Sequence, residues 1–252
     1  MRSSGEVLSS RFVPDTGEVI RVQFASLPPD RLRRGFDSTQ ELFCLDDAQA
    51  KQVVSRDQSR LQRVLNFVQR RSTLSVLQEI YGQATPSIAH LAQRVRFDHQ
   101  ALLLASDPSL VSYWLFDAGF RTGTLIGSVN VVQRLQVRHH HPCPVAILRT
   151  KVHTLASDVR QIELFFPSPE PGRWTFAVVD EEQTQEHEAH TAVTLHPNAD
   201  YRHVLSRLLD NGLVLDGQQT INPAEHSSTQ YLHHPLTHRR LELIHYFNSQ
   251  TS

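Results

Sequence analysis

The sequence predicts an α+β fold in which a mixed, mainly helical N-terminal segment precedes two copies of one strand-helix-strand-strand-strand unit. Three observations carry this prediction. The pattern Asp98-His99-Gln100-Ala101-Leu102-Leu103-Leu104 returns as Ala189-His190-Thr191-Ala192-Val193-Thr194-Leu195. Each copy is followed by a helix with recognisable ends. Each unit then closes on a strand with a central glutamate, Glu163 in Arg160-Gln161-Ile162-Glu163-Leu164-Phe165-Phe166 and Glu242 in Arg240-Leu241-Glu242-Leu243-Ile244-His245-Tyr246. Internal repeats are read before local propensity because they fix the architecture. The expected divisions are residues 1–95, 96–170 and 171–252.

In the first division, Arg11-Phe12-Val13 and Glu18 to Phe24 read as short strands around a Pro14-Asp15-Thr16-Gly17 turn. Beyond Pro28-Pro29 the pattern becomes helical. Leu61, Val64, Leu65 and Val68 share one face over residues 58–70, Leu74, Leu77, Ile80 and Tyr81 share another, and Ile88, Leu91 and Ala92 mark a third helix over 87–95. In the first unit a strand over 97–105 leads to Asp107 as N-cap and Pro108 at the first helical position, and the helix over 109–118 stops at Gly119. Strands are expected over 124–132, 145–151 and 161–166. Pro167, Pro169, Pro171 and Gly172 mark a linker, with an extra strand over 174–179. The second unit opens over 190–195, has Asn198 as a helix cap and a helix over 201–209, and ends that helix at Asn211-Gly212. Strands over 213–215, 229–233 and 239–246 complete it. His139, His140 and His141 before Pro142, and His233, His234 and His238 around Pro235, read as solvated loop residues.

Composition narrows the function. With 252 residues and 39% hydrophobic content the chain can bury a sizeable core. Lys and Arg total 25 against 26 Asp and Glu, so no basic field exists to hold nucleic acid or an anionic membrane. The stretch from Met1 to Leu8 lacks an apolar core of signal-peptide length, and no run approaches the roughly eighteen apolar residues of a membrane span. A soluble, cytoplasmic protein with a small-molecule partner is expected. Cys44 and Cys143 stand in dissimilar contexts, which fits reduced thiols.

Strand alternation places the chemistry. His99 shares a face with Ala101 and Leu103, while Leu102 and Leu104 point to the helix side; His190 likewise shares a face with Ala192 and Thr194. Glu163 and Glu242 lie opposite their apolar neighbours Ile162, Leu164, Leu241 and Leu243. A carboxylate in such a setting is costly unless it is paired, protonated or bound to a cation. Two imidazoles and two carboxylates on matching faces therefore form a candidate metal site. Singly, each has a structural reading: His99 as a satisfied core histidine, Glu163 as the partner of Arg149 or Arg121.

On these residues the stretch from about 96 to 247 resembles the vicinal oxygen chelate superfamily, which includes glyoxalase I, extradiol dioxygenases and bleomycin-resistance proteins. The resemblance implies two modules whose curled sheets pair into a cup around one divalent metal, Fe(II), Ni, Co, Mn or Zn. The ligands it implies are His99, Glu163, His190 and Glu242. A narrower likeness, through Leu77-Gln78-Glu79-Ile80-Tyr81, Pro86, Ile88, Leu91 and Phe97-Asp98-His99-Gln100-Ala101-Leu102, is to the iron(II)-dependent 2-oxoadipate dioxygenase/decarboxylase family. Leu103 and Leu104 stand where that family usually has an arginine to hold a substrate carboxylate, a departure that argues against the same substrate. The implied substrate is a small 2-oxo acid or 2-hydroxycarbonyl compound. A proton-transfer lyase or isomerase with Glu163 and Glu242 as its working carboxylates is expected ahead of an iron(II) dioxygenase built on His99, His190 and Glu242. A metal-free binding protein is the third reading. Arg149 and Arg240 are the candidates for holding a substrate carboxylate. Pairing of the modules within one chain or between the chains of a homodimer is left open.

Overall fold

The structure, a computed structural model, describes residues 29–247. The strands expected around residues 11–24 lie outside the described residues. The chain enters through four helices, α1 (Pro29–Phe43), α2 (Asp47–Arg70), α3 (Thr73–Tyr81) and α4 (Pro86–Ala92). Helix α2 starts well before its apolar periodicity becomes visible. The Asp46 side chain accepts from the backbone N–H groups of Ala48 and Gln49, and the Gln49 side chain accepts from the Asp46 N–H, a reciprocal cap that fixes the start.

The first module is β1 (Val95–Leu103), α5 (Pro108–Asp117), β2 (Ile126–Gly127), α6 (Val129–His139), β3 (Val145–His153) and β4 (Val159–Pro167). After α7 (Phe176–Gln185), the second is β5 (His190–Leu195), α8 (Tyr201–Asp210), β6 (Val214–Leu215), β7 (Thr220–Asn222), β8 (Ser227–His233) and β9 (Arg240–Tyr246). The repeated order is present in both, with α6 inserted in the first and β7 added in the second.

Four local expectations are corrected. The strand over 124–132 shrinks to β2 because the Ser128 hydroxyl caps α6, which buries Val131 and Leu135 one turn apart. A run of β-branched residues looks like a strand locally, and tertiary burial overrides that preference. The extra strand over 174–179 is instead the start of α7, with Trp174 buried just ahead of it. Asp200 replaces Asn198 as the cap of α8, accepting from the His203 N–H at 2.6 Å. His139 ends α6 as part of an ion-pair network and His234 is buried, so neither is a solvated loop residue.

The strands form one mixed sheet in the order β2-β3-β4-β1-β5-β9-β8-β6, with β7 added along β8. Within each module the opening strand runs parallel to the closing one, β1 with β4 and β5 with β9. At the centre β1 and β5 are antiparallel, so the modules join within a single chain about a pseudo-two-fold axis. One sheet face carries Phe97, Leu102, Leu104, Ile162, Leu164, Val193, Leu241 and Leu243 and packs on the helices through residues such as Leu77, Trp114, Val204 and Leu208. On the other face, Ala101, Leu103, Ile147 and Phe165 pack against Val131, Leu135, Trp174 and Val179 of α6, α7 and the adjoining loop. Phe97 and Leu102 can share a face only because the β1–β5 register shifts between Phe97 and His99. That bulge aims His99 to the side opposite Phe97. Among the described residues no helix is long and apolar enough to cross a membrane.

Candidate metal centre

Register gives the site its plan. Ala101 is the partner of both Glu163 on β4 and His190 on β5, while Ala192 is the partner of both His99 on β1 and Glu242 on β9. Two adjacent rows thus cross the sheet, Glu163-Ala101-His190 and His99-Ala192-Glu242. A methyl group at each row's centre leaves the space above the sheet to the longer side chains beside it.

Three of the four converge. His190 Nε2 lies 3.0 Å from Glu242 Oε2, and His99 Nε2 lies 3.2 Å from the same oxygen. The ligand atoms of His99, His190 and Glu242 all fall within 4.8 Å of one another, and all three residues are buried. Each imidazole is anchored on its far side: His99 Nδ1 to Asp98 Oδ2 at 3.0 Å, His190 Nδ1 to the Glu188 carbonyl at 3.0 Å. The His190 ring is also enclosed by Phe165, stacked at 6.0 Å, and by Tyr231, edge-on at 5.4 Å. Such contacts set ring orientation before any ligand arrives.

Glu163 lies one step aside. Its Oε2 is 3.7 Å from His99 Nε2, and its Oε1 accepts from Arg149 Nε at 2.7 Å. Arg149 also donates through Nη1 to Glu225 at 3.2 Å, so this guanidinium sits between two carboxylates. These groups line a cavity of about 330 Å³ together with Asp98, His99 and Glu242. Arg240 is placed elsewhere, bound through Nε to Asp216 at 2.8 Å and through Nη1 to the His187 carbonyl at 3.0 Å, and it does not line that cavity.

Hydrogen-bond accounting tests whether a metal fits. Both nitrogens of His99 face carboxylates, and both nitrogens of His190 face acceptors, the Glu188 carbonyl and Glu242. Without a cation between them, filling every position needs two protons on each ring, with ring centroids 5.7 Å apart. His99 Nε2, though near Glu242, has no aligned hydrogen bond and is buried. Burial opposes charge on His99, but Asp98, Glu242 and Glu163 raise its pKa well above the usual value. Burial would likewise raise the Glu242 carboxyl, and the two histidines instead hold it well below the usual carboxylate range. The site is one that draws positive charge. A divalent ion between the three side chains meets the same demand with two neutral imidazoles. Ligands bonded at about 2.1 Å to adjacent vertices of an octahedron lie about 3 Å apart, close to the 3.0 and 3.2 Å that separate the two imidazoles from Glu242 Oε2. The donor set fits.

Sequence reasoning missed the support behind His190. Buried Glu188 accepts from Arg134 Nε at 2.8 Å and from Arg138 Nη2 at 2.9 Å, while buried Glu182 binds Arg138 and, at 2.7 Å, His139. The Arg134 guanidinium lies 5.1 Å from the centre of the Tyr231 ring. Arg134 and Arg138 stand one turn apart, a helical signal within a stretch otherwise dominated by valines.

No protein-family profile matches this chain, and no curated protein matches it by sequence. Solved structures resemble it at low identity. A hypothetical protein from Bacillus halodurans C-125 aligns at 12% identity and a TM-score of 0.40, covering 63% of this chain and 99% of that one. Methylmalonyl-CoA epimerase from Mycobacterium tuberculosis aligns at 16% identity and 0.38, covering 60% and 88%. A mutant of 4-hydroxymandelate synthase from Streptomyces coelicolor aligns at 9% identity and 0.39, covering 63% of this chain and 51% of that protein.

Proposed function

We propose that this protein is a divalent-metal-dependent enzyme of the vicinal oxygen chelate kind, acting on a small 2-oxo acid or 2-hydroxycarbonyl compound. The observation that carries the reading is that two buried imidazoles meet one buried carboxylate while both nitrogens of each ring face acceptors. His99, His190 and Glu242 would hold the metal. Two histidines and one carboxylate form the set that leaves neighbouring positions open in non-haem iron oxygenases. With Glu163 engaged by Arg149, that three-ligand arrangement favours an iron(II) dioxygenase over the proton-transfer lyase or isomerase expected first.

When bound, the metal supplies Lewis acidity and, as iron, a redox couple. The chain supplies the rest. Asp98 and the Glu188 carbonyl accept hydrogen bonds from the far nitrogens, so that both Nε2 atoms turn their lone pairs toward Glu242, His99 at the cavity wall and His190 buried behind it. Arg149 stands at the same cavity as the cationic group for a substrate carboxylate. Glu163, 3.7 Å from His99 through Oε2 and bound to Arg149 through Oε1, would be the carboxylate that accepts a proton from substrate. One observation supports the lyase or isomerase as a second reading: Glu163 Oε2, only 3.7 Å from His99 Nε2, reaches the same space and could complete a four-ligand set.

Oxygen uptake by protein reloaded with Fe(II), screened against short 2-oxo acids, tests the assignment. Uptake that needs Fe(II) and disappears in His99→Ala, His190→Ala and Glu242→Ala is expected. Anaerobic turnover with nickel, cobalt or zinc would select the proton-transfer reading. Ligand binding indifferent to chelators would reassign the cavity to a metal-free binding protein.

A further inference from the structure

We propose that Glu225 is a built-in competitor for the substrate carboxylate, occupying Arg149 while the cavity is empty and yielding it when an anionic ligand enters. The two partners of Arg149 differ in kind. Glu163 belongs to the neighbouring strand, is in direct register with Arg149, has a side chain only 9% exposed and makes the short contact of 2.7 Å. Glu225 comes from the other module, is 46% exposed and makes a longer contact of 3.2 Å. The first contact is part of the sheet. The second crosses the cavity and can be released at little cost, as exposed ion pairs usually can.

Glu225 also sits on a slender support. It ends a single 3-10 turn, Pro223–Glu225, between β7 and β8, and the next residue, His226, has a left-handed backbone with φ 48°. Arg149 is the only arginine or lysine among the described residues lining this cavity, against the carboxylates of Asp98, Glu163, Glu225 and Glu242. An anionic ligand therefore has one guanidinium to reach, apart from the His99 imidazole that Asp98, Glu163 and Glu242 already surround, and Glu225 is the group standing on it from the opposite side. Exchange of one carboxylate for another leaves the charge around Arg149 unchanged. Entry without exchange would add an anion to a cavity already rich in them. A neutral ligand gains nothing from displacing Glu225, so Glu225 moderates the affinity that Arg149 gives small carboxylates and leaves that of their uncharged analogues untouched.

This inference deepens the proposed function in naming what Arg149 recognises, and it rests on that reading only for the metal's share of binding. Calorimetric titration of 2-oxoglutarate and of its neutral dimethyl ester, with metal-free and Zn-loaded protein, separates the two. Glu225→Gln and Glu225→Ala, at an exposed position, are expected to tighten 2-oxoglutarate binding about two- to fivefold and to leave the ester unchanged, while Arg149→Met loses the acid's advantage. An unchanged or weakened affinity for the acid in both Glu225 variants would overturn the proposal, as would equal tightening for the ester. So would the failure of wild type and both variants to bind 2-oxoglutarate at millimolar concentration. If the Glu225 effect appears but metal loading changes neither ligand's affinity, the exchange stands and the reading that the metal takes part in substrate binding fails.

Discussion

Glu163 and Glu242 hold equivalent places in the two modules, yet one converges with the histidines and the other does not. The difference lies one strand further out. Glu242 is in register with Tyr231 on β8, a neutral side chain, whereas Glu163 is in register with Arg149 on β3. A carboxylate beside a guanidinium is neutralised and held; one beside a phenol and two imidazoles turns to the imidazoles. The Arg149→Met variant should release Glu163 toward the histidines and tighten Zn2+ or Co2+ binding on the order of tenfold, the scale on which neighbouring groups tune metal sites. Calorimetry with Co2+, read beside its visible absorption, would show a tighter site with an altered ligand field. Weaker metal binding in this variant would mean that Arg149 supports the site rather than restraining Glu163. At this scale the sequence was informative about faces, because parity along a strand is local. It was less so about which partner wins, since Arg149 and the histidines compete for Glu163 only once the strands are side by side.

Helices α6 and α7 connect the site to the rest of the protein. Arg134 and Arg138 of α6 hold Glu188, the residue whose carbonyl fixes the His190 tautomer, and Glu182 of α7 shares Arg138. Breaking a buried ion pair leaves a charge without compensation, so Glu188→Ala should cost about 3 kcal/mol of stability. Glu188→Ala keeps the carbonyl that faces His190 but frees the backbone carrying it from α6, and metal affinity should fall up to about tenfold as that contact loosens. Thermal unfolding and zinc titration check the two effects separately, and a destabilised variant with unchanged zinc affinity would reduce α6 and α7 to packing. These helices were the least legible part of the fold. Val129, Val131 and Val132 read as a strand, and Trp174 to Val179 read as another. The spacing that marks α6 as a helix belongs to Val131 with Leu135 and Arg134 with Arg138, and its burial partners come from β3, α7 and the loop before it. The N-cap at Asp107 shows the opposite case, in which side chain and backbone meet within a few residues. Ser128 is hidden inside an expected strand, and Asn198 reads as the cap that Asp200 supplies.

Across the whole molecule, doubling is what makes one site. Each module gives one imidazole from its opening strand, and the antiparallel β1–β5 junction brings the two together at the centre of the sheet. The repeat in the sequence foretold the matching strands; the sheet order and the within-chain pairing emerge only from the assembled structure. Because neither module holds a full ligand set, removing the histidine of either should abolish metal binding rather than halve it. The most direct test is the metal stoichiometry of untagged, metal-depleted protein titrated with Fe(II) or Zn2+ under anaerobic conditions. One tightly bound ion per chain is predicted in wild type and in Glu163→Gln, and none in His99→Ala or His190→Ala provided each remains folded by circular dichroism. Retention of the ion by both folded histidine variants, or no uptake by wild type, would contradict a metal centre shared between the two modules.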